Sequence, residues 1–338
     1  ALLSGRASLP QLSDQGLSDI VFNAQVNDLE TVEDGRIEIT SAYQDMPLSL
    51  TGDIRREDNL ILLDPVTGSA PDLSISGALR FNQDTSLATG ALQADITNLQ
   101  TYSALAGVDL AGSGEVNLDL TDDAGKQGVS VKLNASTLKY QDISAAKINL
   151  NATLPDVAAI YPSALDLEGT NIVIGTAAQI PSVKASLSDK GNDSYGARLD
   201  MNVRAQSERI AIKGGATLAG LQSQAYAGRD IDLGISLRGE TLKITGGADL
   251  QTLDIRLAAQ DFALSALPVE LPPALQEMAL NATVDLNGTP AAPLIKADIK
   301  SAQAIRPMEG ISIQVAANGN YANGQASAAL KITGDQIK

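Results

Sequence analysis

The 338-residue sequence contains neither histidine nor cysteine. Without histidine it cannot form a Ser-His-Asp or Cys-His catalytic couple, and it lacks the commonest proton shuttle near neutral pH. Without both residues, the usual ligand sets for zinc, blue copper, haem and iron–sulfur clusters cannot be built. Carboxylate chemistry and the binding of Mg²⁺ or Ca²⁺ remain compatible with the composition. We therefore predict that the protein is not an enzyme, and that it has no catalytic residue, metal site or cofactor.

Aromatic residues are also scarce: they make up 3% of the sequence, and there is no tryptophan. This removes the stacking platforms on which sugar-binding and single-strand-binding surfaces depend. The 40 acidic and 24 basic residues give a net charge of −16, which opposes binding to nucleic acid and to anionic lipid headgroups. No apolar run approaches the roughly 18 residues of a membrane-spanning helix. We therefore predict no nucleic-acid partner.

Apolar and polar residues alternate in short stretches throughout the sequence. In residues 73–81, Leu73, Ile75 and Leu79 fall on one side of an extended strand, and Ser74 and Arg80 fall on the other. This alternation predicts antiparallel strands with one apolar face. By strand parity, that face contains Leu73, Ile75, Leu79, Phe81, Val116, Leu118, Leu120, Ile210, Ile212, Leu218, Leu242, Ile244, Leu250, Leu253, Ile255, Leu257, Val284 and Leu286.

Turn residues separate these stretches about every 8–12 residues, which predicts a long meander of strands. Glycine recurs inside the strand patterns, at Gly52, Gly77 and Gly246. Glycine within a strand marks a bulge or a bend, so we expect the sheet to curl into a trough, although a flat sandwich is also compatible. The predicted fold class is all-β: a long, curled, groove-like antiparallel sheet with one hydrophobic face and a few short helices.

Short helices are predicted within residues 95–106, 158–161 and 272–278, the last with prolines placed at a helix start. Residues 94–120 and 259–286 both read as a strand end, a short helix and an amphipathic strand. This predicts two copies of a large unit, at about 1–165 and 166–338, within one continuous β-groove segment. The sequence starts at Ala1 without a signal-peptide pattern and stops within an alternation, so we expect an internal fragment of a longer protein.

Motifs that could carry chemistry have simpler structural interpretations. The pairs Gly112–Gly114 and Gly214–Gly215 lack the third glycine and the Lys-Ser/Thr ending of a nucleotide loop, which favours strand or turn glycines. Adjacent Asp122 and Asp123 favour a hairpin turn over a Ca²⁺ site. Four Asn-x-Ser/Thr matches indicate the polar side of strands rather than glycosylation: they begin at Asn134, Asn151, Asn281 and Asn287.

The segment 280–299 carries a resemblance to a known family. It runs as an alternating strand into Gly288-Thr289, reaches Pro293 and resumes as a strand at Leu294. This arrangement resembles the recurring "strand, Gly-Thr-x-x-x-Pro, strand" unit of the AsmA-like superfamily. It most resembles the TamB branch, the translocation and assembly module proteins of Gram-negative envelopes. Residues 103–114 resemble the same family's helix-to-strand junction, and strands of the Leu-x-Gly-x-Leu type extend the resemblance over most of residues 45–338.

The resemblance implies a taco-like β-sheet with an apolar interior, in a periplasmic protein whose inner-membrane anchor lies outside this fragment. The implied partner is an outer-membrane barrel of the Omp85 type, TamA-like. The implied function is the passage of phospholipids between the two membranes, linked also to outer-membrane protein assembly. The parity-assigned residues would then line a lipid groove and contact phospholipid acyl chains. The family contributes no catalytic residues.

Two other functions stay open on the residues alone. The apolar stripes could form the closed core of a structural or adhesive β-solenoid, with sheets packed against each other. Alternatively, an exposed sheet edge could chaperone strands destined for outer-membrane barrels. Whether the apolar face is open or closed separates the first alternative from a lipid groove.

Overall fold

The structure is a computed structural model that describes residues 2–7, 20–26, 34–43, 46–158, 161–205, 208–267, 273–308, 311–322 and 324–334. Most of these residues lie in β-strands. The strands are β1 Leu2–Ala7, β2 Ile20–Val26, β3 Asp34–Tyr43, β4 Met46–Glu57, β5 Leu60–Ala70, β6 Leu73–Asn82, β7 Leu87–Ile96, β8 Leu110–Asp123, β9 Lys126–Tyr140, β10 Ile143–Leu154, β11 Ala164–Ile174, β12 Ala178–Gly191, β13 Ser194–Ala205, β14 Glu208–Ala219, β15 Ala227–Leu237, β16 Glu240–Asp249, β17 Leu253–Ala263, β18 Ala279–Thr289, β19 Ala292–Ser301, β20 Ile305–Met308, β21 Ile311–Ala322 and β22 Gln325–Gly334.

The chain divides into two units, Ala1–Gly175 with β1–β11 and Thr176–Lys338 with β12–β22. In unit 1 every strand pairs antiparallel with the next one in sequence. Unit 2 repeats this from β12 to β19, after which β19 and β20 both pair with β21, and β21 pairs with β22. Within each unit the first and last strands do not pair with each other among the described residues, so the sheet is open. The predicted all-β, curled antiparallel fold is confirmed.

Two-residue hairpin loops set the register of many strand pairs. Ala124 and Gly125 join β8 to β9, and Asn192 and Asp193 join β12 to β13; all four have positive φ, between 52° and 81°. Loops of this length and conformation match the right-handed twist of the strands that they connect. The local turn residues therefore determine which residues face each other across each hairpin.

The glycines predicted to mark bends do lie where the strand register shifts. The β4–β5 register shifts between Gly52 and Ile54, the β5–β6 register shifts beside Gly77, and the β15–β16 register shifts beside Gly246. Gly77 and Gly246 have φ of 159° and 122°. A Cβ on Gly246 would lie 1.9 Å from the carbonyl oxygen of Asp254 in the neighbouring strand, so only glycine fits.

Helical segments lie where two of the three predicted helices were placed. A 3₁₀ helix, Leu99–Tyr102, and α1, Ser103–Ala106, connect β7 to β8, and the Asn98 side chain accepts a hydrogen bond from the Gln100 N–H at 3.0 Å. A 3₁₀ helix, Leu264–Ala266, and α2, Pro273–Gln276, connect β17 to β18. Both stretches of the proposed internal repeat thus run strand, short helix, strand; the repeat itself stays a prediction. In the third segment, Ala158 lies in a turn and residues 159–160 fall outside the described ranges.

Very few side chains are fully buried. Among the described residues the buried hydrophobic ones are Val66, Ala135, Ala145, Tyr195, Phe262 and Ala266, and no polar residue is buried. The accessible surface is 20923 Å². A compact monomer of this mass would expose about 13,000 Å², and two separate compact units of half the mass would together expose about 16,000 Å². Each unit is therefore a sheet with little closed core.

Candidate apolar binding face

The register of unit 1 joins apolar residues of nine consecutive strands into one row. This unit 1 apolar row crosses the strands nearly at right angles, and at about 4.8 Å per strand it extends on the order of 40 Å. Its members, from β3 to β11, are Ile39, Leu50, Gly68, Ile75, Ala94, Val116, Leu133, Leu150 and Leu167. A second apolar row lies beside it, through Gly77, Leu92, Leu118 and Val131.

Unit 2 contains an equivalent feature. Its apolar row, the unit 2 apolar row, again crosses nine strands, from β13 to β22. Its members are Met201, Ile212, Ile235, Leu242, Ala259, Ala282, Ile299, Ala317 and Leu330. The adjacent row passes through Leu199, Leu233, Ile244 and Leu257. Each unit therefore carries an aliphatic surface several residues wide.

The opposite face of the sheet is polar. In unit 1, Thr51 and Thr67 are directly opposite each other, with their hydroxyl oxygens 2.6 Å apart. In unit 2, the ammonium of Lys213 lies 3.4 Å from the carboxylate of Asp200 on the neighbouring strand. Hydroxyl pairs and ion pairs of this kind stabilise the pairing of neighbouring strands on the solvent-exposed face. These polar groups bond one another on this face, and the members of the apolar rows carry no charge.

The apolar side chains are mostly half-exposed. The more exposed of them include Leu50 (42%) and Phe81 (39%) in unit 1 and Leu257 (37%) in unit 2, and most of the others are partly buried. No described element packs over these positions closely enough to bury them. A closed sandwich core would exclude water from such residues almost completely. The apolar face is thus left partly open to solvent.

Nearly all the residues that strand parity assigned to the apolar face lie in strands and pair with apolar or glycine neighbours. In unit 1, Leu79 pairs with Gly90, which in turn pairs with Leu120. In unit 2, Ile255 pairs with Gly246 and Leu286. The residues placed in this way are Leu73, Ile75, Leu79, Phe81, Val116, Leu118, Leu120, Ile210, Ile212, Leu218, Leu242, Ile244, Leu253, Ile255, Leu257, Val284 and Leu286.

The assignment of Leu250 is wrong. Strand β16 ends at Asp249, and Leu250 lies in the turn before β17, 66% exposed. The Asp249 carboxylate ends the strand because it accepts hydrogen bonds from the backbone N–H groups of Gln251 and Thr252, at 2.7 and 2.6 Å. Local side-chain bonding of this kind competes with strand pairing. The apolar alternation in the sequence therefore extends one residue beyond the end of strand β16.

The assignment by strand parity also omitted part of the apolar face. In β13, Leu199, Met201 and Val203 belong to the unit 2 apolar surface, and in β15 Leu233 and Ile235 do as well. Both strands alternate regularly with polar residues in the sequence, so the signal was present. Their mixture of acidic and basic residues made the alternation less conspicuous than in the Leu-x-Gly-x-Leu strands.

The carboxylates with lowered pKa lie in turns or at the ends of strands. The backbone N–H of Gln222 and the hydroxyl of Ser223 hold the pKa of Asp193 below its usual value, through hydrogen bonds of 2.8 and 2.7 Å. The N–H groups of Gln251 and Thr252 do the same for the pKa of Asp249. Hydrogen bonds to the charged form of a carboxyl group favour that form. These carboxylates stabilise the turns that connect neighbouring strands.

The other motifs singled out in the sequence have structural positions. Gly112 and Gly114 lie in β8, Gly214 and Gly215 lie in β14, and the four Asn-x-Ser/Thr motifs also begin in strands. The Asp122 carboxylate accepts a hydrogen bond from the Gly125 N–H at 3.0 Å, as expected of a hairpin turn. In the part of the chain that the structure describes, no cluster of three or more acidic residues is arranged to hold a metal ion.

In the described ranges, no helix has both the length and the apolar character needed to cross a bilayer. Comparison with protein-family models, with curated proteins and with solved structures finds no match for this chain.

Proposed function

We propose that this chain is a non-enzymatic, lipid-binding segment of a Gram-negative cell envelope, and that its apolar face carries phospholipids through the periplasm between the inner and outer membranes. The apolar rows are the observation that supports this proposal most directly. They are unbroken across nine strands in each unit, and their side chains are aliphatic and half-exposed. The resemblance of residues 280–299 and 103–114 to the TamB family supports the same function.

The free energy of moving a lipid through water explains why such a surface is useful. Each exposed CH₂ costs about 0.8 kcal/mol, so a chain of about 16 carbons faces on the order of 10 kcal/mol. An aliphatic face removes much of that cost. Because the hydrophobic effect is non-directional, a bound acyl chain can shift from one row position to the next without breaking specific bonds. The headgroup stays in water at the open side of the sheet.

Partners follow from the proposed function. The phospholipid acyl chains contact the apolar face. An anchor in a part of the protein outside this chain holds the protein in the inner membrane. A TamA-like barrel binds the protein at the outer membrane. A role in outer-membrane protein assembly is part of the same proposal. These partners rest on the family resemblance, and copurification of the tagged full-length protein with such a barrel tests them.

The decisive experiment places a charge on the apolar face. Ile244→Arg puts a guanidinium in the row between Leu233 and Leu257. We expect the variant to lose most of the phospholipid that copurifies with the wild-type protein, as measured by solvent extraction and mass spectrometry. Thr245→Arg is the matched control, because it adds the same charge one residue along β16 on the polar face, beside Asp232. Equal lipid content in the two variants would contradict the proposal.

The closed-core solenoid is disfavoured by the exposure of the apolar side chains. The strand-edge chaperone has one observation in its favour: β22 pairs only with β21 among the described strands, and every residue of β22 except Gly334 is exposed. An exposed edge can accept a further strand. Site-specific crosslinking from β22 positions to unfolded outer-membrane barrel proteins tests this second candidate, independently of lipid content.

A further inference from the structure

Three arginines lie in one row at the ends of neighbouring strands in unit 2. Arg204 of β13 is directly opposite Arg209 of β14. One position further along β14, Ile210 pairs with Leu237, so Arg238 continues the row from the turn after β15. We call Arg204, Arg209 and Arg238 the arginine row. They are brought together by strand register alone.

The positive charge of the arginine row is only partly neutralised. Arg238 donates from Nε to Glu208 at 2.7 Å, bonds the other oxygen of the same carboxylate through Nη2, and donates from Nη1 to the Ser265 carbonyl at 2.7 Å. Arg204 and Arg209 are exposed and have no ion pair or hydrogen bond among the described residues. Like charges directly opposite on neighbouring strands destabilise a sheet. Two guanidinium groups of the row therefore have no counter-ion in the part of the chain that the structure describes.

The acidic residues further along the same strands are already engaged. The carboxylate of Asp200 in β13 is 3.4 Å from the ammonium of Lys213, and that of Asp232 in β15 is 3.3 Å from the ammonium of Lys243. These two carboxylates are therefore not counter-ions of the arginine row.

A cavity adjoins the arginine row. It has a volume of about 560 Å³ and is lined by all three arginines, by Asn202 and Ser236, and by apolar residues and glycine: Pro181, Val203, Ile210, Ala211 and Gly239. This volume accommodates a phosphate group with a small substituent. Asn202 and Ser236 lie one row inward from the arginines, on strands β13 and β15. The Asn202 amide nitrogen donates to the Ser182 hydroxyl at 2.9 Å, and the Ser236 hydroxyl lies 3.0 Å from that of Thr241, so the arginines are the main donors at the cavity wall.

We propose that the arginine row is a binding site for a phosphate group. A guanidinium offers two parallel N–H donors that match two phosphate oxygens, and such bonds are among the strongest in proteins. A bound phosphate would also remove the repulsion between Arg204 and Arg209. The proposal does not depend on the proposed function, since the row lies on the polar face of the sheet.

The net charge of the molecule does not oppose this binding locally. Residues 1–175 contain 24 acidic and 9 basic residues, a net charge of −15, whereas residues 176–338 contain 16 and 15, a net charge of −1. Almost all the excess acidity therefore belongs to unit 1. At physiological ionic strength, charges more than about 8 Å apart are largely screened, so the row's own charge dominates its surroundings.

The test is a calorimetric titration of the purified chain at low ionic strength with two probes. The first is inorganic phosphate, and the second is dihexanoyl phosphatidylglycerol below its micellar concentration. We expect saturable binding of at least one probe, weakened by at least about tenfold in the double variant Arg204→Gln/Arg209→Gln. Comparable binding of both probes identifies the free phosphate group as sufficient, and binding of the lipid alone identifies a headgroup site.

Arg198→Gln is the matched control, because it removes the same charge from the same face of β13 at a position opposite Gly215. We expect it to bind both probes as the wild type does. Equal weakening in the control, full binding in the double variant, or no saturable binding of either probe would overturn the proposal. Should the glutamine variant fail to fold, Arg204→Lys/Arg209→Lys keeps the charge but loses the two-pronged geometry, and its binding must also be weaker.

Discussion

Gly246 lies between Ile244 and Ala248 on the apolar side of β16, where the chain approaches β17 closely. Its φ of 122° and the 1.9 Å that would separate a Cβ from the Asp254 carbonyl oxygen leave no room for a side chain. Gly77 repeats this geometry in unit 1, where a Cβ would lie 2.1 Å from the Ala91 carbonyl oxygen. At these two positions a missing side chain lets the sheet bend while the apolar rows stay continuous.

Replacing Gly246 tests this role. We expect Gly246→Ala to lower the free energy of unfolding by about 2–4 kcal/mol, because it combines a strained backbone conformation with a steric clash. Gly234→Ala is the control: the new Cβ would lie 3.7 Å from its nearest neighbour, an ordinary van der Waals distance, so a change below about 0.5 kcal/mol is expected. Denaturant unfolding followed by circular dichroism measures both, and similar losses in the two variants would refute the distinction.

At the scale of the elements, the alternation of apolar and polar residues predicted which side chains share a face of the sheet, because alternation is a local property of each strand. Alternation in residues 73–81 or 253–257 is visible without knowing any partner strand, and the structure places both on the apolar face. Leu250 shows the limit of the method: the Asp249 side chain captures two backbone N–H groups and ends the strand earlier than the hydrophobic pattern does. Turn chemistry, rather than hydrophobicity, decides where a strand stops.

Three carboxylates with lowered pKa, in turns or at strand ends, lead to a prediction about pH. Asp193, Glu208 and Asp249 have lowered pKa values in the folded protein, so the stability that they contribute is present above their unfolded pKa, near 4, and is lost as the pH falls through the folded value. We expect Asp193→Asn to reduce the loss of melting temperature between pH 7 and about pH 3. Asp122→Asn is the control, since the Asp122 carboxylate accepts one hydrogen bond where the Asp193 carboxylate accepts three. An unchanged acid profile in Asp193→Asn would contradict this role.

At the scale of the whole molecule, the net charge of −16 is distributed very unequally. Unit 1 carries −15 and unit 2 carries −1, although both are antiparallel sheets with equivalent apolar rows. Repulsion among like charges destabilises a folded unit, and salt screens that repulsion. The two units should therefore differ in how their stability responds to ionic strength.

Hydrogen exchange at two salt concentrations checks this difference. Raising NaCl from about 20 mM to about 300 mM shortens the Debye length from roughly 20 Å to under 8 Å. We expect exchange to slow more in strands β4–β10 of unit 1 than in β13–β19 of unit 2. The same slowing in both units would indicate that the charge difference has no effect on stability.

The sequence by itself determined the fold class, the two-faced strands and the absence of histidine and cysteine chemistry, because composition and period-two alternation are local properties. Only the tertiary structure decided which strands lie side by side, since register depends on turns and on pairing between residues far apart in sequence. It joined Ile75, Val116 and Leu150 into one apolar row, and it placed Arg204, Arg209 and Arg238 together. It also decided that the apolar face is left half-exposed, because burial depends on which elements pack over a strand and not on the strand itself.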